Sequence, residues 1–397
     1  MLDQTMTASQ SSVSQRMHAV QTPVIPTVAA LIAANPGTIS LGQGIAHYPP
    51  PKQVNDALAN FYQQVGVHSY KAVTGTASLK EKITQKLADD NGVDVPPERI
   101  VVTAGANMAF NNALLAIADA DDDIILLTPY YFNHEMAITM ANCRTVVVPT
   151  DENYQPDVAA ISAAITPKTK AVVTVSPNNP TGAVYAAEAL NAINKLCADH
   201  GIYHISDETY EYFTYDGARH VTPLSFEDAA DHTISIYSLS KAYGFASWRI
   251  GYMVIPETLI PAVEKIQDTI LICPPVVSQV AAEAALAVGR AYCTPYVEAY
   301  AEVRKLVLDE LASIPDIVTV PRPDGAFYCF LKVNLPLAPM DLCQRLIEQA
   351  SVAVIPGDTF GTSGCYVRIS YGALEHADVG EGIGRLVTGL REIAASV

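Results

Sequence analysis

The stretch Thr233-Ile-Ser-Ile-Tyr-Ser238-Leu-Ser-Lys241-Ala-Tyr-Gly-Phe-Ala-Ser247-Trp248-Arg249-Ile-Gly251-Tyr-Met-Val-Ile255 decides the reading of this chain. Two short β-rich runs, Thr233–Tyr237 and Tyr252–Ile255, flank a polar centre. Alternation within them is weak, as expected of strands buried on both faces. Working outward, Ile100–Thr103, Ile124–Leu127, Thr145–Val148, Ala171–Val175 and Tyr203–Ser206 have the same character. Between them lie segments with helical spacing, such as Asn107–Ala118 and Ala186–His200, the latter closed by Gly201. Strands alternating with helices predict an α/β fold, a mostly parallel central sheet with helices on both faces.

The C-terminal third reads differently. Helices are expected over Pro261–Leu271, Val276–Ala291, Tyr296–Ser313, Met340–Gln349 and Ala377–Ala394, with strands over Ala326–Val333 and Tyr366–Tyr371. That pattern predicts a smaller α+β domain. The expected division is 1–45 as an N-terminal arm and part of the small domain, 46–290 as the large domain and 291–397 as the small one. No long Pro/Gly linker separates them, so a tight contact with a bridging helix is expected, and ligands favour such clefts at strand ends.

Composition narrows the function. The chain has 397 residues, 50% hydrophobic and 16% charged, with a net charge of −17. This is enough apolar material for a large core, and so acidic a surface argues against nucleic-acid or membrane-surface binding. The seven Cys lack any C-x-x-C pair and read as reduced thiols of a cytoplasmic protein. No apolar run is long enough to span a membrane. The polar N-terminus through Val20 reads as a loose arm without a secretory signal. A metal site is not expected: His200 and His204 straddle Gly201, with no Glu between them.

The chemistry-bearing residues sit at strand ends. Lys241 follows an apolar strand among Ser, Leu, Ala and Tyr; a dry amine loses charge and becomes a nucleophile, unless it simply reaches solvent. Arg249, between Trp248 and Ile250, reads as buried and hence in need of an anion. With Ser238 and Ser240 it would place a phosphate beside a reactive amine, a combination that points to pyridoxal phosphate. Ser176-Pro-Asn-Asn179-Pro-Thr-Gly182 is a turn that presents amides. Asp207-Glu208-Thr-Tyr210 is either an exposed acidic loop or a partner for a pyridine nitrogen and a phenolic oxygen. Thr103-Ala-Gly105-Ala106-Asn107 opens a helix and suits a phosphate. Arg368, in an apolar strand, requires a carboxylate from the protein or from a substrate.

In this order these five elements resemble the class I/II aminotransferases, fold-type I pyridoxal-phosphate enzymes, from about residue 22 to the end. The resemblance implies that Lys241 forms an imine with the cofactor and shuttles a proton. It also implies that Asp207 pairs with the pyridine nitrogen and that Asn179 and Tyr210 bind the ring oxygen. Arg249, Ser238 and the backbone of Gly105, Ala106 and Asn107 would hold the phosphate, and Tyr131 would stack on the ring. Arg368 would grip the substrate carboxylate in a pocket lined by Gly44. Tyr70 would reach the phosphate of a neighbouring subunit, giving a homodimer with shared sites. The implied activity is transfer of an amino group from an L-amino acid of aspartate, aromatic or methionine type to a 2-oxo acid such as 2-oxoglutarate. A lyase or cyclase on the same scaffold is the alternative. Ser247 stands where the family usually has Gly. Ile45, Tyr70, Tyr131 and Phe327 are expected around the substrate side chain, which favours aromatic or long apolar groups. Arg290 and Arg322 are candidates for a second carboxylate. Asn133 and His134 either influence substrate choice or belong to a surface loop, and His47 and Tyr48 either share that influence or are structural.

Overall fold

A computed structural model describes residues 13–63 and 65–397; the first twelve residues of the expected arm lie outside it. Its centre is a seven-stranded sheet. The strands are β1 (Ile100–Thr103), β2 (Asp123–Thr128), β3 (Arg144–Pro149), β4 (Thr169–Val175), β5 (Tyr203–Asp207), β6 (Thr233–Ser238) and β7 (Gly251–Val254). Their order is β1-β7-β6-β5-β4-β2-β3. All seven were expected, to within two residues at each end.

The run from β3 to β6 is parallel, and β7 alone is reversed, antiparallel to both β6 and β1. Successive side chains of a strand point to opposite faces. Accordingly Val101 and Met253 enter a core with Phe110, Leu114 and Val263, whereas Ile100, Val102 and Val254 enter another with Leu79, Ile83 and Ala282. On the far strands, Ile125, Leu127 and Val172 pack against Leu190, Ile193 and Cys197. Both faces are dry, which accounts for the unalternating sequence. The helices over Ala106–Ile117 and Ala187–His200 fall where expected, and Gly201 takes the left-handed φ of +64° that ends the second.

A second sheet carries β8 (Val318–Thr319), β9 (Tyr328–Val333), β10 (Ile355–Pro356) and β11 (Tyr366–Ser370), all antiparallel, in the order β10-β11-β9-β8. Ile39–Ser40 pairs with Val352–Ala353, so an early segment is built into the C-terminal part. The helix Thr294–Leu311 packs on His376–Ala394. Several helices were not read from the sequence: Val24–Ala34, Gln53–Phe61, Ala77–Asn91, Phe132–Met140 and Val158–Ala164. Among the described residues no helix is long and apolar enough to cross a membrane, and all seven Cys are free thiols.

A polar cluster on β5 lies within the core. His204 on β5 is fully buried, with Nε2 2.9 Å from Thr174 Oγ1 and Nδ1 3.1 Å from the Asn194 amide nitrogen. Burial, and then the neighbouring His232, push its pKa down to about 3. An unfolded histidine titrates near ~6.5. Between these values the unfolded chain holds a proton that the folded chain lacks, so this residue makes stability fall as pH drops through that window. The slope is roughly 1.4 kcal/mol per pH unit for one group. Urea denaturation at intervals from pH 4 to 7 should show a shallower acid limb for His204→Gln than for the parent protein.

Candidate active site

The C-terminal ends of β4, β5 and β6 face the second sheet across a cavity of about 400 Å³. Because β7 is reversed, its first residue, Gly251, lies opposite Ser238 at the end of β6 and Thr103 at the end of β1. Arg249 therefore enters between these two strand ends. A Cβ on Gly105 would come within 2.6 Å of Arg249 Nη2, and Gly105 has φ +86°. Gly105 starts the helix Ala106–Ile117, whose first N–H groups are free for an anion. Ser238, which caps the short helix Leu239–Ala242 through Ser240 N (3.1 Å), completes this side.

On the floor, Asp207 ends β5 and is buried rather than part of an exposed loop. Burial alone would raise its carboxyl. His134 Nε2, 3.2 Å from Oδ2, and Thr209, whose N–H donates to Oδ1 at 3.0 Å, more than offset this and hold it below the usual carboxylate range. Asp207 is thus ionised and faces the cavity, as a protonated ring nitrogen requires. His134 lies on a helix, not in a surface loop. Its ring stacks on Phe110 at 4.0 Å and meets Tyr131 edge-on. Asn133 lines the cavity and donates to Tyr131 Oη (2.8 Å).

Lys241 Nζ projects into the same cavity and donates to Gly44 O (2.5 Å). Burial, then the guanidinium charges of Arg368 and Arg249, lower its pKa to about 8, with Asp207 opposing. Tyr210 Oη lies 2.5 Å from Tyr328 Oη, and burial, reinforced by that neighbour, raises its pKa well above the ordinary value. It stays a neutral phenol at physiological pH.

Arg368 sits on β11, buried. Nη1 donates to Asn179 Oδ1 (2.9 Å) and Nη2 to Gly42 O (2.8 Å), while Nε has no partner. Its guanidinium lies 4.7 Å from the Tyr328 ring centre. The alternative of a structural carboxylate is set aside: among the described residues none pairs with it. A buried cation held by neutral acceptors keeps its affinity for an anion.

The structure places the remaining predicted residues, some of them away from their expected positions. Arg249 is exposed, not buried. Phe327 does not line the cavity; it is wholly buried against Tyr210 and Phe213, and its neighbour Tyr328 takes the place. Tyr70 is 77% exposed and lies away from the cavity of its own chain. Arg322 pairs with Asp216 and Arg290 lies over the Tyr212 ring, so neither supplies a second carboxylate site here. His47 packs among tyrosines with Nδ1 3.0 Å from Tyr300 Oη, and Tyr48 donates to Lys241 O (2.7 Å). Ile45, Gln43 and Ile25 complete the rim. Among the described residues no cluster of His, Cys, Asp or Glu could hold a metal ion.

The family model for aminotransferase class I and II matches residues 36–386. The chain belongs to this family. An aspartate/prephenate aminotransferase of Thermus thermophilus is 36% identical over 85% of this chain and 87% of its own length. An aromatic aminotransferase of Arabidopsis thaliana is 32% identical over 96% of both. A solved aspartate aminotransferase variant from Thermus thermophilus superposes with a TM-score of 0.89 at 32% identity, covering 96% of this chain and all of that one. An aromatic aminotransferase from Pyrococcus horikoshii gives 0.85 at 31%, covering 92% and 99%. The protein is an aminotransferase of fold-type I, and the family implies a pyridoxal phosphate cofactor. The cavity fits that group. The ionised Asp207, the lowered Lys241 amine and the Cβ-free approach at Gly105 are the complement of its pyridinium, aldehyde and phosphate, and the unpartnered Arg368 Nε is the complement of a substrate carboxylate.

Two outcomes follow. Gly105→Ala adds a strained left-handed residue and displaces the Arg249 guanidinium; the dissociation constant for pyridoxal phosphate should rise about tenfold or more in a fluorescence titration. In the cofactor-free protein, Lys241 should react with cyanate half-maximally near pH 8, gaining reactivity as pH rises, well below the surface lysines. Peptide mapping by mass spectrometry reads this directly.

Proposed function

We propose that this aminotransferase moves the amino group of an L-amino acid of aspartate, aromatic or methionine type to a 2-oxo acid such as 2-oxoglutarate. The observation that carries the reading is a half-buried Lys241 amine, its pKa lowered, in one cavity with Asp207, Arg249 and Arg368. Relatives named for aspartate, prephenate and aromatic substrates support the substrate range. The aromatic and apolar rim of Tyr131, Tyr328, Ile25 and Ile45 suits an aromatic or long apolar side chain.

Pyridoxal phosphate, when bound, supplies an aldehyde carbon and a ring that withdraws electrons from the substrate Cα. Arg249, Ser238 and the N–H groups at Ala106 and Asn107 would hold its phosphate. Asp207 would hold the ring nitrogen protonated, and Asn179 and Tyr210 would donate to the ring oxygen. Tyr131 would cover one ring face. Arg368 would bind the substrate α-carboxylate and so fix which Cα bond stands perpendicular to the ring, a contribution of orientation. Lys241 Nζ would take the Cα proton; a pKa near neutrality suits a group that must both accept and return it.

Tyr70, exposed beside an apolar groove of Phe61, Tyr62, Val67 and Pro274, supports a homodimer in which it completes the partner's phosphate site. Residues from a second chain would then border the cavity rim.

Purified protein should show a visible absorption band that a donor amino acid alone collapses without any 2-oxo acid. Lys241→Ala should lack the parent band and lose at least 10²–10⁴-fold in turnover, the usual worth of a general base. Near-parent turnover in that variant overturns the assignment. A band that persists while pyruvate and ammonia accumulate moves the protein to the lyase reading.

A further inference from the structure

Beside Asp207 lies a second carboxylate that the reaction does not use. Glu208 is fully buried and outside the cavity. Its Oε2 accepts from His220 Nε2 (2.7 Å) and its Oε1 from Thr222 Oγ1 (3.0 Å). Thr222 Oγ1 in turn lies 2.9 Å from Tyr237 Oη. Glu208 N donates to Ile236 O (2.8 Å). His220 is itself buried, and its Nδ1 has no partner, so its hydrogen bonding is committed to Glu208.

These contacts tie two strand tips together. Glu208 immediately follows Asp207 and opens the turn that carries Tyr210. Tyr237 immediately precedes Ser238 on β6, the strand that delivers Lys241. A buried carboxylate is costly unless paired and hydrogen-bonded; here both of its partners lie in the 207–222 loop, and Thr222 carries the contact on to Tyr237 near the end of β6. A plain apolar side chain would fill the space without that cost. We infer that Glu208 is a positioning residue: through Thr222 and His220 it fixes the ends of β5 and β6 relative to each other, and so sets the placement of Asp207 against Lys241. This rests on the roles proposed above for those two residues.

The test uses Glu208→Ala, the conservative Glu208→Gln, and Thr222→Val, which removes the bridging hydroxyl at nearly constant volume and stands in if the alanine variant fails to fold. In the cofactor-free protein, cyanate labelling of Lys241 is followed against pH. Asp207 raises the Lys241 pKa, so Glu208→Ala, by loosening Asp207, should move the labelling midpoint to lower pH. With pyridoxal phosphate and an amino donor, kcat should fall roughly 10- to 100-fold with KM changed less than about threefold, the range set by small misplacements of reacting groups. The visible band should shift, and Glu208→Gln should recover part of each effect. If the melting temperature drops while the labelling midpoint, the band and kcat all stay at parent values, Glu208 is structural only and the inference fails. If the parent protein shows no band with pyridoxal phosphate, the functional reading itself fails; the cofactor-free labelling still reports whether Glu208 places Asp207.

Discussion

An ionised carboxylate kept out of water is the constraint on which this molecule turns. Asp207 stands at the end of a strand whose neighbours on both sides are themselves buried, so solvent cannot pay for its charge. The compensation comes from fixed groups: a histidine from the Phe132–Met140 helix and a backbone N–H two residues on. Each of these has to be held in turn. His134 is sandwiched by Phe110, a residue of the helix that Gly105 begins, so the acid end and the anion end of the cavity share one piece of packing.

The same economy governs the cations. Lys241, Arg249 and Arg368 converge on one space, and burial, followed by the two guanidinium charges, lowers the amine. A site with three basic groups and one acid is incomplete as a charge arrangement, and anionic ligands are what balance it. Arg368 shows this most plainly: its protein partners are an amide oxygen and a peptide carbonyl, both neutral. The tyrosines around them, Tyr131, Tyr210 and Tyr328, add hydroxyls that stay protonated, and so supply donors without adding charge.

Much of this was legible in the sequence, because the motifs coincide with strand ends. Lys241 and Arg249 flank one chain reversal, and Asp207 closes a run of buried residues, so their placement follows from local pattern alone. His134 was not legible: its partner is on another strand, and nothing in Tyr131-Phe-Asn-His marks a helix that turns the imidazole inward. Phe327, just before β9, was expected in the place of Tyr328, its first residue, because the phase of β9 is set by its pairing with β11, where Phe330 lies opposite Arg368. An arginine between apolar neighbours reads as buried, whereas Arg249, with a left-handed φ of +51°, is exposed and lines the open side of the cavity. The early helices escaped notice for a different reason. Ala77–Asn91 commits only Leu79, Ile83, Lys86 and Leu87 to the interior, too thin a stripe to stand out among polar residues.

The single reversed strand has a consequence for how such a site can vary. Ring-side groups leave their strands toward the cavity, whereas Arg249 is on its way into one. The two halves of the cavity are therefore anchored to opposite chain directions. A lengthened loop after β4 or β5 alters what surrounds the substrate without moving the start of β7, because that start is pinned between β1 and β6 by its own ladder. The start of β7, with Arg249 just before it, and the loops after β4 and β5 are in this sense mechanically separate, and substitutions can retune one while the other stands still.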